Sequence, residues 1–301
     1  MIDPAATQRS PLDDLLALID LRCTVYHNQQ LCGDWELAEH EVGQTCFHLV
    51  SHGTCELSWA GRQWQLSAGD LVLFPAEEPH RLRTLEPAGQ PMQSLRMDQS
   101  IDAPNTGLMC ASVQFAHQAS RALLAALPPM TLLRRTEASE PWLTPLLQQI
   151  LRESRQPAPG QAAVLDHLAE LVFMQAIRYH DNQAGPRAVG ILNLLRDARL
   201  ARAIRAFHAA PAHHWTLDAL ATEAAMSRSR FAVHFRATSG WTPAHYMTWW
   251  RMQVAWTCLQ RGDSVLSVAQ AVGYRSEAAF SRAFQRAFGT TAGAVRRARN
   301  A

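Results

Sequence analysis

The sequence has little of what a membrane or exported protein needs. Its most apolar run, residues 168–177 (LAELVFMQAI), is ten residues long with Glu170 inside it, against the roughly 18 to 20 a spanning helix requires. The first twenty residues, MIDPAATQRSPLDDLLALID, carry acids where a signal peptide has its basic start, so no export signal is expected. Six cysteines show no framework spacing, which excludes a disulfide scaffold and fits a reducing cytoplasm with free or sensing thiols. Lysine is absent altogether, all 28 basic residues being arginine. Base composition alone can produce that, and it carries no inference.

What is present is unevenly distributed. The net charge of +2 divides into −8 over residues 1–195 and +10 over residues 196–301. A mildly acidic body with a strongly basic final third is the electrostatic footprint of a polyanion partner. A solvated basic surface would have the same composition, so the choice rests on what the segment encodes. At 301 residues the chain is long enough for two domains.

The basic third contains one unit written twice. Residues 216–243 read TLDALATEAAMSRSRFAVHFRATSGWTP, and residues 264–293 read SVLSVAQAVGYRSEAAFSRAFQRAFGTTAG. Leu220-Ala221 align with Val268-Ala269 at an offset of 48, and Phe231, Phe235, Gly240 and Thr242 with Phe280, Phe284, Gly289 and Thr291 at 49. Each copy opens on a capping hydroxyl, Thr216 or Ser264, runs through a short helix, turns near Ala225-Met226 or Gly273-Tyr274, and restarts at Ser227 or Ser276. Short helix, tight turn, longer helix is the helix-turn-helix, whose second helix enters the DNA major groove.

Helical spacing sorts the residues of each second helix. Phe280, Phe284 and Phe288 form an inward stripe, while Ser281, Arg282, Gln285 and Arg286 fall on the far side. In the first copy Phe231 and Phe235 anchor, and Ser229, Val233 and Arg236 face outward beside Arg230. Arg and Gln read guanine and adenine edges with paired hydrogen bonds. Ser227, Arg228, Arg275 and Ser276, at the helix starts, are placed to hold phosphates. A single phenylalanine stripe is ordinarily core packing; two copies with caps and turns inside the +10 segment favour DNA. Between the copies, residues 242–262 predict one long helix with Pro243 in its first turn and Gly262 at its end, packed through Trp249, Trp250 and Trp256.

Residues 197–297 resemble the DNA-binding domain of the AraC/XylS family. The matching pieces are RLARAIRAFHAAP, WTLDALATEAAMSRSRFAVHFRATSGWTPAHYMTWWRM and LSVAQAVGYRSEAAFSRAFQRAFGTTAGAVRR. Val233 stands where many relatives are basic or polar, and TTAGAVRR departs from the usual final motif. The resemblance implies a promoter-binding transcription regulator, more often an activator, with double-stranded DNA and RNA polymerase as partners.

The first half is written differently. From Thr45 the pattern turns to period two and short apolar runs, with turns at residues 59–62 (WAGR) and 68–70 (AGD). That predicts a small antiparallel barrel. The segment GDLVLFPAEEPH, residues 69–80, resembles the second motif of cupin barrels, followed by a strand at residues 108–115. In AraC-type regulators such a barrel binds an effector. The paired His-x-His and the Glu of a catalytic cupin's first motif are absent, which argues against a cupin metalloenzyme fused to a DNA reader. In the cupin frame His48 and His80 share one interior, and with His52 they are the candidates for an effector or a divalent metal. An ordinary hydrogen-bonded core histidine is the competing reading of each.

Five of the six cysteines lie in this half: Cys23, Cys32, Cys46, Cys55 and Cys110. Small buried residues in strands would account for them. The region also resembles an AraC branch that includes a reactive-chlorine-responsive activator, and that resemblance implies that Cys110 forms a disulfide or mixed adduct with Cys23 or Cys32 on oxidation. A metal-responsive regulator using the barrel histidines, and an architectural DNA binder, stand as alternatives. Two amphipathic helices, residues 141–155 and 160–183, cover the barrel or pair two chains as a homodimer; the apolar face of the second is read as Leu165, Leu168, Leu171, Val172, Gln175 and Ala176. The expected organisation is therefore α+β: a cupin-like antiparallel β-barrel with flanking helices over residues 1–183, a linker over 184–196, and an all-α domain of two helix-turn-helix units joined by a long helix over 197–301.

Overall fold

The Trp59–Arg62 turn is where strand pairing can be followed most locally. Trp59 and Arg62 face each other across Ala60-Gly61, whose φ values of 48° and 73° are the left-handed pair that matches the twist of a hairpin. The computed structural model describes residues 10–19, 21–38, 44–76, 78–99, 103–115, 119–135, 142–183 and 189–298. Its elements begin with α1 (Pro11–Ile19), β1 (Leu21–Cys32), β2 (Glu36–Leu37), β3 (Thr45–His52), β4 (Thr54–Trp59), β5 (Arg62–Ser67) and β6 (Leu71–Phe74). Then come β7 (His80–Arg83), β8 (Gln93–Arg96), β9 (Asn105–Phe115), α2 (Ser120–Leu124), β10 (Thr131–Leu133), α3 (Leu143–Arg155) and α4 (Gln161–Gln183). The remainder is helical: α5 (Ile191–Arg196), α6 (Ala198–Ala209), α7 (Leu217–Glu223), α8 (Arg228–Ser239), α9 (Pro243–Arg261), α10 (Val265–Ala271), α11 (Glu277–Phe288) and α12 (Ala292–Ala298).

The chain divides into two compact units. One takes Leu21–Phe115 and Leu127–Gln183; the other takes α1, α2 and everything from α5 onward. The first is built from a six-stranded sheet, β10-β6-β3-β9-β1-β8, and a four-stranded sheet, β2-β7-β4-β5. Both sheets feed one apolar cluster, Val50, Val72, Phe74 and Leu108 from the larger with Leu57, Leu66 and Leu82 from the smaller. The expected barrel is thus two antiparallel sheets around a shared core, and no ladder among the described residues closes them into a ring.

On α4 the buried stripe is Leu165, Ala169, Val172, Phe173, Ala176 and Ile177. Leu171, expected on that face, is 45% exposed, because the four-and-three spacing from Leu165 runs through Ala169 and Val172 instead. The same helix supplies acceptors to strand β1: the Val25 N–H donates to Asp166 (2.8 Å) and the Cys23 N–H to Glu170 (3.4 Å).

In the second unit the helices of both repeats and the helix between them are capped by hydroxyls. Thr216, Ser227, Thr242, Ser264 and Ser276 each accept a hydrogen bond from the backbone N–H three residues on. Gly240, Gly262 and Gly289 close α8, α9 and α11 in left-handed conformation. The two internal turns are left-handed too, at Ala225 (φ 51°) and Gly273 (φ 83°), positions related by the offset of 48. The offset becomes 49 because Arg275 is an extra residue between the second turn and its Ser cap. Phe231 and Phe235 are buried with Phe207, Leu220 and Tyr246. Phe280 and Phe284 are buried with Met252, Leu259, Val268 and Val295.

Three features of this unit are not evident from the sequence. Helix α1 buries Leu15 and Ile19 completely and joins this unit, with Asp14 accepting from the His208 ring at 3.0 Å. The stretch expected as a linker contains α5, with Ile191, Leu192, Leu194 and Leu195 buried; residues 184–188 of it lie outside the described residues. Asp197 caps α6 and also meets the His234 ring of α8 at 2.7 Å.

Two predictions follow from backbone and burial here. Ala225 pays the left-handed penalty that glycine avoids, so Ala225→Gly is expected to raise stability by about 0.5–1 kcal/mol in chemical denaturation. His208 is held below the ordinary histidine range by burial, with Asp14 opposing. The folded ring stays neutral where the unfolded chain takes up a proton, so its contribution is full above about pH 6.5 and is lost as pH falls below that. Melting temperature is expected to drop between pH 7.5 and 5.5, and His208→Gln to reduce that drop; His27 and His52, lowered by burial in the other unit, contribute with the same sign.

Candidate functional site

The second helix of each repeat presents one polar face because its phenylalanines are committed inward. On α8, Arg228, Ser229, Arg230 and Arg236 are exposed, and Val233 is 72% exposed. An exposed valine on this face is a methyl surface, suited to the C5-methyl of thymine rather than to a purine edge. On α11, Arg282, Gln285 and Arg286 are exposed and Ser281 is half-buried. Arg275 and Ser276 are exposed just ahead of it. The Ser227 and Ser276 oxygens accept from Arg230 N (3.4 Å) and Ala279 N (3.2 Å), which uses a lone pair and leaves each O–H as a donor.

Charge and orientation are controlled by neighbours. Arg228 lies 3.4 Å from Asp218, both side chains 65% exposed, a pair weak enough for a phosphate to replace. The Asp197 carboxyl is raised by burial, but the Leu200 N–H, the His234 ring and the Arg199 N–H outweigh this and hold it below its usual range. That anionic acceptor steadies α8 against the start of α6, a role not apparent in the sequence.

The connecting helix α9 has nineteen residues, about 28 Å at 1.5 Å per residue. Its tryptophans pack as expected: Trp250 stacks on His208 at 3.5 Å, and Trp256 on Phe284 at 5.9 Å. Arg251 is not a surface cation; it donates to the Pro211 and His213 carbonyls at 2.8 and 3.1 Å. These carbonyls belong to the loop whose Ala212 oxygen would sit 2.9 Å from a Cβ at Gly273. The first repeat's lead-in is thereby fastened to α9 and lies close against the second repeat's turn.

In the sheet unit the expected histidines separate. His48 and His80, both 3% exposed, meet at 2.7 Å between their Nε2 atoms. His52 lies elsewhere, its Nε2 at 2.6 Å from Asn105 Oδ1, so it does not join the pair. Cys46 joins it instead, with Sγ 3.9 Å from His48 Nε2. The signal was present in the sequence as Cys46-x-His48, a spacing that puts two side chains on one face of a strand.

All six cysteines are free and five are buried, Cys258 being the partly exposed one. Burial first, then Glu170 and Asp166, pushes Cys23 up to about 12, and burial with Asp70 pushes Cys55 up to about 12. Cys110 is raised well above the usual thiol range by burial and by Cys46, against an opposing hydrogen bond with Tyr26. Cys32 is raised by burial. The strand register separates the thiols that the resemblance pairs. Cys110 lies opposite His27, while Cys23 and Cys32 lie opposite Val113 and Asn105. Four or five residues of strand is about 13–17 Å, beyond the roughly 7 Å limit between Cα atoms for a disulfide. Neither pairing is assembled in this fold. A cavity of about 670 Å³ lies at one end of the unit, lined by Cys32, Asp34, Trp35, Glu86, Gln93 and Thr106 among others.

A sheet unit joined in one chain to twin helix-turn-helix units defines a DNA-binding regulator of two parts. Two family models match: a cupin over residues 10–181 and a helix-turn-helix domain over residues 220–298. The RCS-specific HTH-type transcriptional activator RclR of Escherichia coli strain K12 is 32% identical over 95% of this chain and 96% of its own. An uncharacterized HTH-type transcriptional regulator of Haemophilus influenzae is 30% identical over 91% of this chain and 94% of its own. The chain belongs to the AraC family of transcription regulators, in the group with an N-terminal cupin domain, and it is a regulator rather than an enzyme. Among the described residues no helix is long and apolar enough to cross a membrane.

Burial predicts the order of thiol reactivity. At pH 7 one thiol per chain, Cys258, is expected to react quickly with a disulfide reagent while five wait for unfolding, and Cys258→Ser to abolish the fast phase. A second fast thiol contradicts the burial.

Proposed function

We propose that this chain activates transcription by laying α8 and α11 into successive major grooves of one promoter, under control of a signal received by its cupin unit. The observation that carries this reading is the pair of exposed faces, Arg228, Ser229, Arg230 and Arg236 on α8 and Arg282, Gln285 and Arg286 beside the half-buried Ser281 on α11, held by one continuous helix. Ser227, Arg275 and Ser276 position the backbone. The length of α9 suits two grooves about 34 Å apart. RNA polymerase is the downstream partner, and exposed Val164 and Leu171 on α4 are where two chains would pair as a homodimer.

The signal is an oxidant of the reactive-chlorine class, received through cupin-unit thiols that include Cys110. The relative RclR, named as an RCS-specific activator, and the five thiols of this unit support it. Hypochlorous acid takes two electrons from two thiols, yielding a disulfide, chloride, a proton and water. Because Cys110 lies opposite His27 on β1, bonding it to Cys23 or Cys32 requires β1 to leave β9. The covalent event is then also a rearrangement, and it stabilises one arrangement of the sensor over the other, as switching requires. A second reading, a small-molecule effector, is favoured by the cavity of about 670 Å³ beside Cys32.

Binding to the DNA upstream of the chain's own gene tests the reader. The double variant Arg282→Ala/Arg286→Ala is expected to lose roughly ten-fold or more in affinity and to flatten the salt dependence by about two phosphate contacts if both touch the backbone. Unchanged sequence-selective affinity removes the reading. For the sensor, Cys110→Ser is expected to abolish the transcriptional response to hypochlorous acid while leaving DNA affinity intact; a full response excludes Cys110.

A further inference from the structure

The reader unit carries a cleft that its DNA-reading faces leave unused. It has a volume of about 750 Å³ and is walled by α1, α6, α9 and the end of α7. None of its lining residues belongs to α8 or α11. A cavity of that volume is within the range of sites for small organic molecules.

Charge is the first constraint on an occupant. Arg202 and Arg205, three residues apart on α6, share one face of that helix, and Arg261 at the end of α9 joins them along the cleft. None of the three guanidinium groups has an ion-pair or hydrogen-bond partner among the described residues. Two acids share the lining. Asp14 accepts from the His208 Nδ1–H at 3.0 Å, and Glu223 is exposed at the end of α7. His208 also accepts from the Tyr246 hydroxyl at 2.8 Å, and burial holds it below the ordinary histidine range against Asp14, so its ring is neutral at pH 7. Cys258 is neutral there too, its thiol raised by burial and by Asp263 outside the lining, against Arg261. The cleft thus holds three arginines that no acid engages.

The walls are the second constraint. Leu18, Ala206, Ala209 and Val254 supply apolar sides. Trp250, stacked on His208 at 3.5 Å, supplies a wall already fixed before any ligand arrives. Its indole N–H is buried without a hydrogen-bond partner, and buried donors are ordinarily satisfied. A carboxylate offers one charge and two oxygens, which a single guanidinium answers in a fork. A phosphate monoester offers nearly two charges and three acceptor oxygens, a better match for several guanidinium groups at once.

We propose that the cleft between α1, α6 and α9 binds a small phosphate monoester, its dianionic group held by Arg202, Arg205 and Arg261 and its apolar body laid against Ala209 and Val254. The inference goes beyond the promoter-binding reading, since it uses neither the faces of α8 and α11 nor the thiols of the cupin unit.

The test is calorimetric titration of the full-length protein with naphthyl phosphate, beside naphthoate and inorganic phosphate. One site per chain is expected, with naphthyl phosphate held at least about ten-fold more tightly than either control. Cys258 lines the same cleft, so naphthyl phosphate is also expected to slow the fast thiol reaction there, which locates the site. Arg202→Ala and Arg261→Ala, at exposed positions, are each expected to weaken binding roughly ten-fold and to leave promoter affinity near that of the parent chain. Ala209→Trp fills the cleft without changing its charge and is expected to weaken binding by a similar factor, with melting temperature maintained. Equal binding of the three probes, an unprotected Cys258, or binding unchanged in all three variants overturns the assignment. So does a loss of promoter affinity in both arginine variants that Ala209→Trp does not share, which makes those arginines DNA contacts. Loss of promoter binding by the Arg282/Arg286 double variant bears on the α11 face alone, so the two proposals fail separately.

Discussion

Two pairs of phenylalanines, each spaced by four, are the constraint on which the reader half depends. Phe231 and Phe235 on α8, and Phe280 and Phe284 on α11, are at most 2% exposed. Burying such a pair is worth several kcal/mol in a core of this size, far more than any surface hydrogen bond. It fixes the rotation of each helix about its axis, and the arginines one or two residues away, Arg230 and Arg236 on α8 and Arg282 and Arg286 on α11, are turned out to solvent. The same logic reaches α9, whose tryptophans join both small cores and so convert two marginal helix pairs into one body with a set spacing.

The cupin half obeys a different economy. Cys46, Cys55 and Cys110 sit at strand positions in its apolar interior, Cys23 lies near Glu170 and Asp166, and burial raises Cys23, Cys32, Cys55 and Cys110 above the ordinary thiol range. A group held that way reacts slowly, so chemistry at Cys110 depends on how often the β1–β9 ladder opens as much as on the oxidant. Two of the polar contacts inside are side-chain pairs, His48 with His80 and Asp70 with Arg134. The first spans the two sheets, so any ligand that displaces that hydrogen bond acts on the contact between layers.

How much of this is legible in the sequence follows the range of the interactions. Caps, the Ala60-Gly61 hairpin and both helix-turn-helix units are read correctly because their causes lie within a few residues. The extra residue Arg275 explains a shift of offset that the repeat already displays. What is not legible is long-range: α1 belongs with residues about 190 positions later through Asp14 and His208, and β1 lies beside both β8 and β9. Register is decided by such pairings, and a few residues of register separate Cys110 from Cys23 and Cys32. Cys46 is legible only in part: its spacing to His48 is local, but its meeting with His80 depends on the other sheet. On α4, Leu171 reads as apolar face until the actual period, set by contact with β1, leaves it outside.

The central claim is that α8 and α11 address separate segments of one duplex. The most direct measurement is guanine-specific interference footprinting on the chain's own promoter with Arg236→Ala and Arg282→Ala compared in parallel. The account predicts that each substitution erases contacts in a different segment, the two lying about ten base pairs apart on one face of the DNA. Loss at the same positions in both variants, or protection spread evenly along the duplex, contradicts it.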